Sequence, residues 1–83
     1  MTTFEVDIED GPDGTPSVVV VSGELDIAAV PAVSRMVVLA EHGRPRTLVL
    51  DLSGVVHLDS SGLRVLLEAA RRARPEGRRL VVV

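Results

Sequence analysis

Residues 57–67 read HLDSSGLRVLL and hold most of the chemistry this chain can offer. His57, Asp59, Ser60 and Ser61 put an imidazole, a carboxylate and two hydroxyls ahead of Gly62 and an apolar helical pattern. Three roles are open to such a group. A serine on a strand-to-helix turn is the setting of the α/β-hydrolase nucleophile. Any one of the three oxygens from Asp59, Ser60 and Ser61 could serve as an ordinary helix N-cap. A hydroxyl at a helix N-terminus, where unpaired N–H groups and the positive dipole end favour anions, is also a place to carry a phosphate.

The nucleophile reading fails on spacing. The hydrolase elbow is G-x-S-x-G, but Leu58 stands two residues before Ser60 and Asp59 two before Ser61. His57 is three residues from Ser60 in the same loop, whereas triads gather base and orienter from separate parts of a larger fold. No G-x-x-x-x-G-K-[ST] or G-x-G-x-x-G is present, and only His42 and His57 offer imidazole to a metal. The sequence therefore gives no catalytic residue, metal ligand or cofactor site. A cap needs one oxygen and this loop supplies three, with Gly62 leaving the hydroxyls open to approach.

These residues need a strand before them and a helix after. TLVLDL at 47–52 reads as the strand, and Leu63, Leu66, Leu67 and Ala70 at i, i+3, i+4, i+7 as the core face of the helix. Arg64, Glu68 and Arg72 follow one another at i, i+4 on its outer side, a spacing for ion pairs. Upstream, residues 4–9 alternate apolar and acidic as an edge strand does. DGPDGTP at 10–16 turns the chain, and VVVV at 18–21 reads as a strand covered on both faces. SGELD at 22–26 leads into a helix marked by Val30, Val33, Val37 and Ala40, widened by Met36 and Leu39. Pro31 falls in its first turn, and Gly43 with Arg44-Pro45 ends it. LVVV at 80–83 reads as a further buried strand. The resulting order is β-β-α-β-α-β. It predicts an α/β fold with a mixed, mostly parallel four-stranded sheet, crossover helices, and the first strand antiparallel at one edge. The loops at 22–26 and 53–61 fall at carboxyl ends of strands and should be neighbours.

Size and charge bound the function. Eighty-three residues make a single domain, 1–83, with a small core and little room for a deep cavity. Phe4 is the only aromatic residue, which removes the stacking platforms of single-strand binders. Seven acids and no base lie in residues 1–34, and all nine basic residues are arginines from Arg35 onward. The net charge of −3 is a poor match for a polyanion, so no direct nucleic-acid partner is expected. Arg71, Arg72, Arg74, Arg78 and Arg79 form a strip suited to an acidic protein surface or to a solvated helix end. The absence of cysteine excludes disulfides. The absence of a signal-like N-terminus or a long apolar run makes a cytoplasmic protein, away from the membrane, the expectation.

VVVVSGELDIAAV, LVLDLSGV and HLDSSGLRVLLEAARRAR together resemble the STAS domain of bacterial anti-sigma factor antagonists over residues 4–83. The resemblance implies a non-enzymatic module that sequesters an anti-sigma factor, itself a serine kinase, and so frees a sigma factor for a transcriptional programme such as a stress response. In that family the first serine after the aspartate is phosphorylated and a phosphatase reverses it. Ser60 is then the acceptor, Asp59, Ser61 and Gly62 flank it, and Asp26 of G-E-L-D belongs to the partner-facing surface, where it can also cap the first helix. Family members continue beyond the fourth strand, so the fold is expected to be C-terminally shortened. The superfamily also implies an alternative, an accessory subunit of a transport ATPase or regulatory complex without obligatory phosphorylation.

Overall fold

The computed structural model describes residues 3–83; residues 1 and 2, the start of the stretch inspected for a signal, lie outside the described residues. The elements are β1 (Phe4–Asp10), β2 (Pro16–Leu25), α1 (Val30–His42), β3 (Thr47–Leu58), α2 (Ser60–Ala73) and β4 (Arg79–Val82). One sheet has the order β1-β2-β3-β4, with β1 antiparallel to β2 and the other pairs parallel, as the element order predicts.

Each crossover is one helix stepping to the next strand in the same direction, and right-handed connections then bring both helices to one face. The core lies between these two layers. Val19, Val21, Leu48 and Leu50 come from the sheet, Val33, Val37 and Ala40 from α1, and Val65 and Ala69 from α2. Val18, Val20, Val49 and Val81 point to the other face and are half-buried. The expectation that β2 is covered on both faces is therefore corrected. Its unbroken valine run reflects β-branched side chains packing laterally, Val18 beside Val49 and Val49 beside Val81, rather than a second helical layer. Likewise β4 is a partly exposed edge rather than a buried strand, with Val82 half exposed.

Pro31 sits in the first turn of α1, as expected. The chain leaves that helix through Arg44, which takes the left-handed φ of 51°, while Gly43 keeps a helical φ of −73°. The following Pro45 disfavours the right-handed region for Arg44, so the reversal is displaced one residue past the glycine. Leu39 lies outside the buried stripe of α1, 57% exposed.

The largest correction concerns α2. Its buried residues are Gly62, Val65, Ala69 and Ala73, while Leu63 and Leu67 are about half exposed and Ala70 is exposed. Apolar residues run around most of this helix, so spacing alone admits two phases. Small residues win the inner position because they let the helix close onto the sheet. Arg72 does not extend an Arg64–Glu68 row either. Its Nε donates to both oxygens of Glu41 on α1, at 2.8 and 3.0 Å.

Candidate functional site

The site forms where β2 and β3 end and α2 begins. Two irregularities in the β2–β3 register, between Val20 and Ser22 and between Gly23 and Glu24, each leave an extra residue on β3. At the first, the Asp51 carboxylate accepts from the Ser53 hydroxyl at 2.6 Å and from the Ser53 N–H at 3.0 Å. The hydroxyl bond first, then the backbone bond, hold this carboxyl below its ordinary value. β3 ends where the Asp59 N–H donates to the Leu25 carbonyl, joining the two loops at 3.4 Å. The expected proximity of residues 22–26 and 53–61 is therefore observed.

Asp59 is the N-cap of α2. Its backbone is extended, and Oδ1 accepts from the N–H groups of Ser61 at 2.9 Å and Gly62 at 3.1 Å. This settles which of the three oxygens caps. Among the described residues neither serine hydroxyl makes a hydrogen bond to the protein. Ser60 is exposed at the first helical position, and Ser61 is half-buried behind it.

Gly62 has a different task from the one expected. It is buried, and a Cβ there would lie 2.5 Å from the Leu25 carbonyl oxygen and 2.7 Å from side-chain atoms of Leu25 and Leu58. The glycine lets the opening turn of α2 rest on the end of β2. It sets the height of Ser60 rather than clearing a path to it.

Asp26 lies in the turn between β2 and α1, half-buried. Its Oδ1 accepts from Ala28 N–H at 3.0 Å and Ala29 N–H at 3.3 Å. The N-cap of α1 is Ala29, so Asp26 organises the turn ahead of the helix without capping it. That turn puts Ile27, 75% exposed, beside the serines. Ile27, Val30, Ser60, Ser61 and Arg64 line a shallow cavity of about 270 Å³. Ser60, Leu63, Arg64, Leu67, Glu68 and Arg71 line a second, of about 490 Å³. The surface around Ser60 thus carries the apolar Ile27, Leu63 and Leu67 and a mixed set of charges, with Arg64 and Arg71 set among the acids Asp26, Asp59 and Glu68. Sequence reasoning missed the two leucines because it assigned them to the core. The competing stripe of Gly62, Val65, Ala69 and Ala73, also at helical spacing, was the signal that could have placed them outside.

A further cavity, of about 640 Å³, lies at the C-terminal ends of both helices, away from the serines, among Val38, Glu41, His42, Arg44, Arg72 and Arg78. It surrounds the Glu41 ion pairs. His57 and His42 are both exposed, and neither bonds to a serine among the described residues. Among those residues no three histidine or acidic groups gather as metal ligands would, and no helix is long and apolar enough to cross a membrane.

A family model described as "Mlab, STAS domain" matches residues 9–83. The fold is similar to the crystal structure of an anti-sigma factor antagonist from Mycobacterium paratuberculosis, with a TM-score of 0.81 and 32% identity over 95% of this chain and 67% of that one. It is also similar to the STAS domain of an antisigma-factor antagonist from Rhodobacter sphaeroides, with a TM-score of 0.76 and 25% identity over 98% of this chain and 86% of the other.

Proposed function

Because the chain belongs to the STAS domain family, we propose that it is an anti-sigma factor antagonist, a cytoplasmic binding module switched by phosphorylation of Ser60. Unphosphorylated, it captures an anti-sigma factor and releases a sigma factor. The anti-sigma factor, acting as a serine kinase, moves a phosphoryl group from a nucleoside triphosphate to Ser60 Oγ, releasing the diphosphate and the hydroxyl proton. The modified module lets go, and a phosphatase hydrolyses the ester to reset it.

One observation carries this reading. Ser60 is exposed at the first position of α2 while Asp59 alone does the capping, so the hydroxyl is free to be modified without loss of a structural bond. A phosphate adds about −1.5 to −2 charges. Placed about 6 Å from a partner carboxylate, two charges cost roughly 1.4 to 5.5 kcal/mol as the effective dielectric runs from 80 to 20. That is about tenfold to several-thousandfold in affinity. The exposed Ile27, Leu63 and Leu67 suit an apolar partner face, and Arg64 and Arg71 can each meet a carboxylate on it, which added negative charge at Ser60 would repel. Asp26, Asp59 and Ser61 share this face, with Gly62 beneath it.

The test is a pull-down with mass spectrometry using the unaltered chain, Ser60→Ala and Ser60→Asp. Ser60→Ala should capture the anti-sigma factor constitutively and resist phosphorylation, and Ser60→Asp should fail to capture it. Equal capture by all three contradicts the switch. A second reading, an accessory subunit of a transport ATPase, is favoured by the exposed Ile27, Leu63 and Leu67, which can dock a partner whatever the state of Ser60. Recovery of a transport ATPase by both serine variants alike would select it.

A further inference from the structure

We propose that Arg64 clamps the phosphate on Ser60 within the same chain, so that modification adds charge to the docking face and also withdraws its nearest cation. The inference rests on Ser60 being the modified residue. Ser60 opens α2, and Arg64 follows one turn later on the same side. Residues four apart on a helix have Cβ atoms about 5–6 Å apart. Helical side chains lean toward the N-terminus, which carries the Arg64 guanidinium toward Ser60 rather than away from it. The two side chains together wall both cavities beside the serines.

Arg64 is also uncommitted. It is exposed, and among the described residues it forms no ion pair, the Glu41 bridges being taken by Arg72 and Arg78. Glu68 lies one turn beyond it, in the weaker cation-before-anion order, whereas a phosphate at position 60 would stand in the favoured anion-before-cation order. The Asp59 Oδ1 already accepts two backbone N–H groups. A guanidinium presents parallel donors that match phosphate oxygens, so the exchange forms charge-assisted hydrogen bonds. The other charged or titratable groups nearby are Asp26 from the β2–α1 turn, His57 and Asp59 from the end of β3, and Glu68 and Arg71 from α2. Arg71 also walls the larger cavity beside Ser60.

The switch then works by substitution. Before modification Arg64 faces a partner carboxylate; afterwards it is occupied by its own chain, and the partner meets a phosphate held in one orientation.

The experiment uses the full chain with phosphoserine encoded at position 60, followed by 31P NMR across pH. A free phosphomonoester loses its second proton near about pH 6. Arg64→Gln should raise that midpoint by about half a pH unit or more relative to the unaltered chain, and Arg64→Lys should fall between the two. Identical midpoints in the unaltered and Arg64→Gln chains overturn the clamp. Because the phosphate is installed without a kinase, failure of the purified anti-sigma factor to label Ser60 overturns the functional reading separately.

Discussion

The division of labour between Asp59 and Ser60 makes a sharp thermodynamic prediction. Asp59→Ala removes the acceptor for two N–H groups, Ser61 and Gly62, and a carboxylate at the positive end of α2. Loss of an N-cap costs about 1 kcal/mol, and loss of the charge adds about 0.3 to 1 kcal/mol. A total near 1.5 kcal/mol in a domain of this size lowers Tm by about 6 to 12 °C. Asp59→Asn keeps an acceptor oxygen and should lose only the charge contribution, about 0.3 to 1 kcal/mol. Ser60→Ala removes a hydroxyl that has no partner among the described residues and should stay within about 0.5 kcal/mol of the unaltered chain. Thermal unfolding followed by circular dichroism, with urea titration as a check, separates the three. If Ser60→Ala unfolds as early as Asp59→Ala, the hydroxyl holds the cap, and a phosphate there would cost the fold its helix terminus as well as changing the surface.

Gly62→Ala should destabilise by about 1 to 3 kcal/mol, because its methyl meets the Leu25 carbonyl and forces α2 away from β2; a lowered urea midpoint checks it. Glu41→Ala strands Arg78, whose side chain is 7% exposed and whose Nε already lacks a partner among the described residues, and should cost about 3 kcal/mol. Replacing the pair together, Glu41→Leu with Arg78→Met, should recover much of that loss in the same denaturation assay. Leu67→Ser should leave stability within about 0.5 kcal/mol while weakening partner capture, because this leucine is 51% exposed beside the serines. The folded-state pKa of Asp51 is lowered by the Ser53 hydroxyl and then by the Ser53 N–H, so its contribution is present above the ordinary value of 3.8 and is lost as pH falls through the lower folded value. Asp51→Asn should therefore lower stability at neutral pH, where that contribution is fully present, and flatten the acid limb of a stability–pH profile below about pH 4, where the unaltered chain and the variant converge.

Much of this molecule was readable along the chain because the signals are local. The alternation of Phe4, Val6 and Ile8, the turn at 10–16, Pro31 in a first turn and two single-helix crossovers are enough to specify the strand order, since right-handed connections leave few topologies. Asp59-Ser60-Ser61 announced a helix N-terminus in the same way. The sequence could not say which oxygen caps, because aspartate and serine are about equally good at that position. The rest depended on contacts between distant segments. Among the described residues both crossover helices lie on one face, so the valines of β2 have a single helical cover there. The approach of Gly62 to Leu25 rotates α2 so that small residues face the sheet and Leu63, Leu67 and Arg64 face outward around Ser60. Helical spacing defines stripes but not which stripe is buried. That choice belongs to the packed layers, where shape complementarity at a few ångströms outweighs the larger hydrophobicity of leucine.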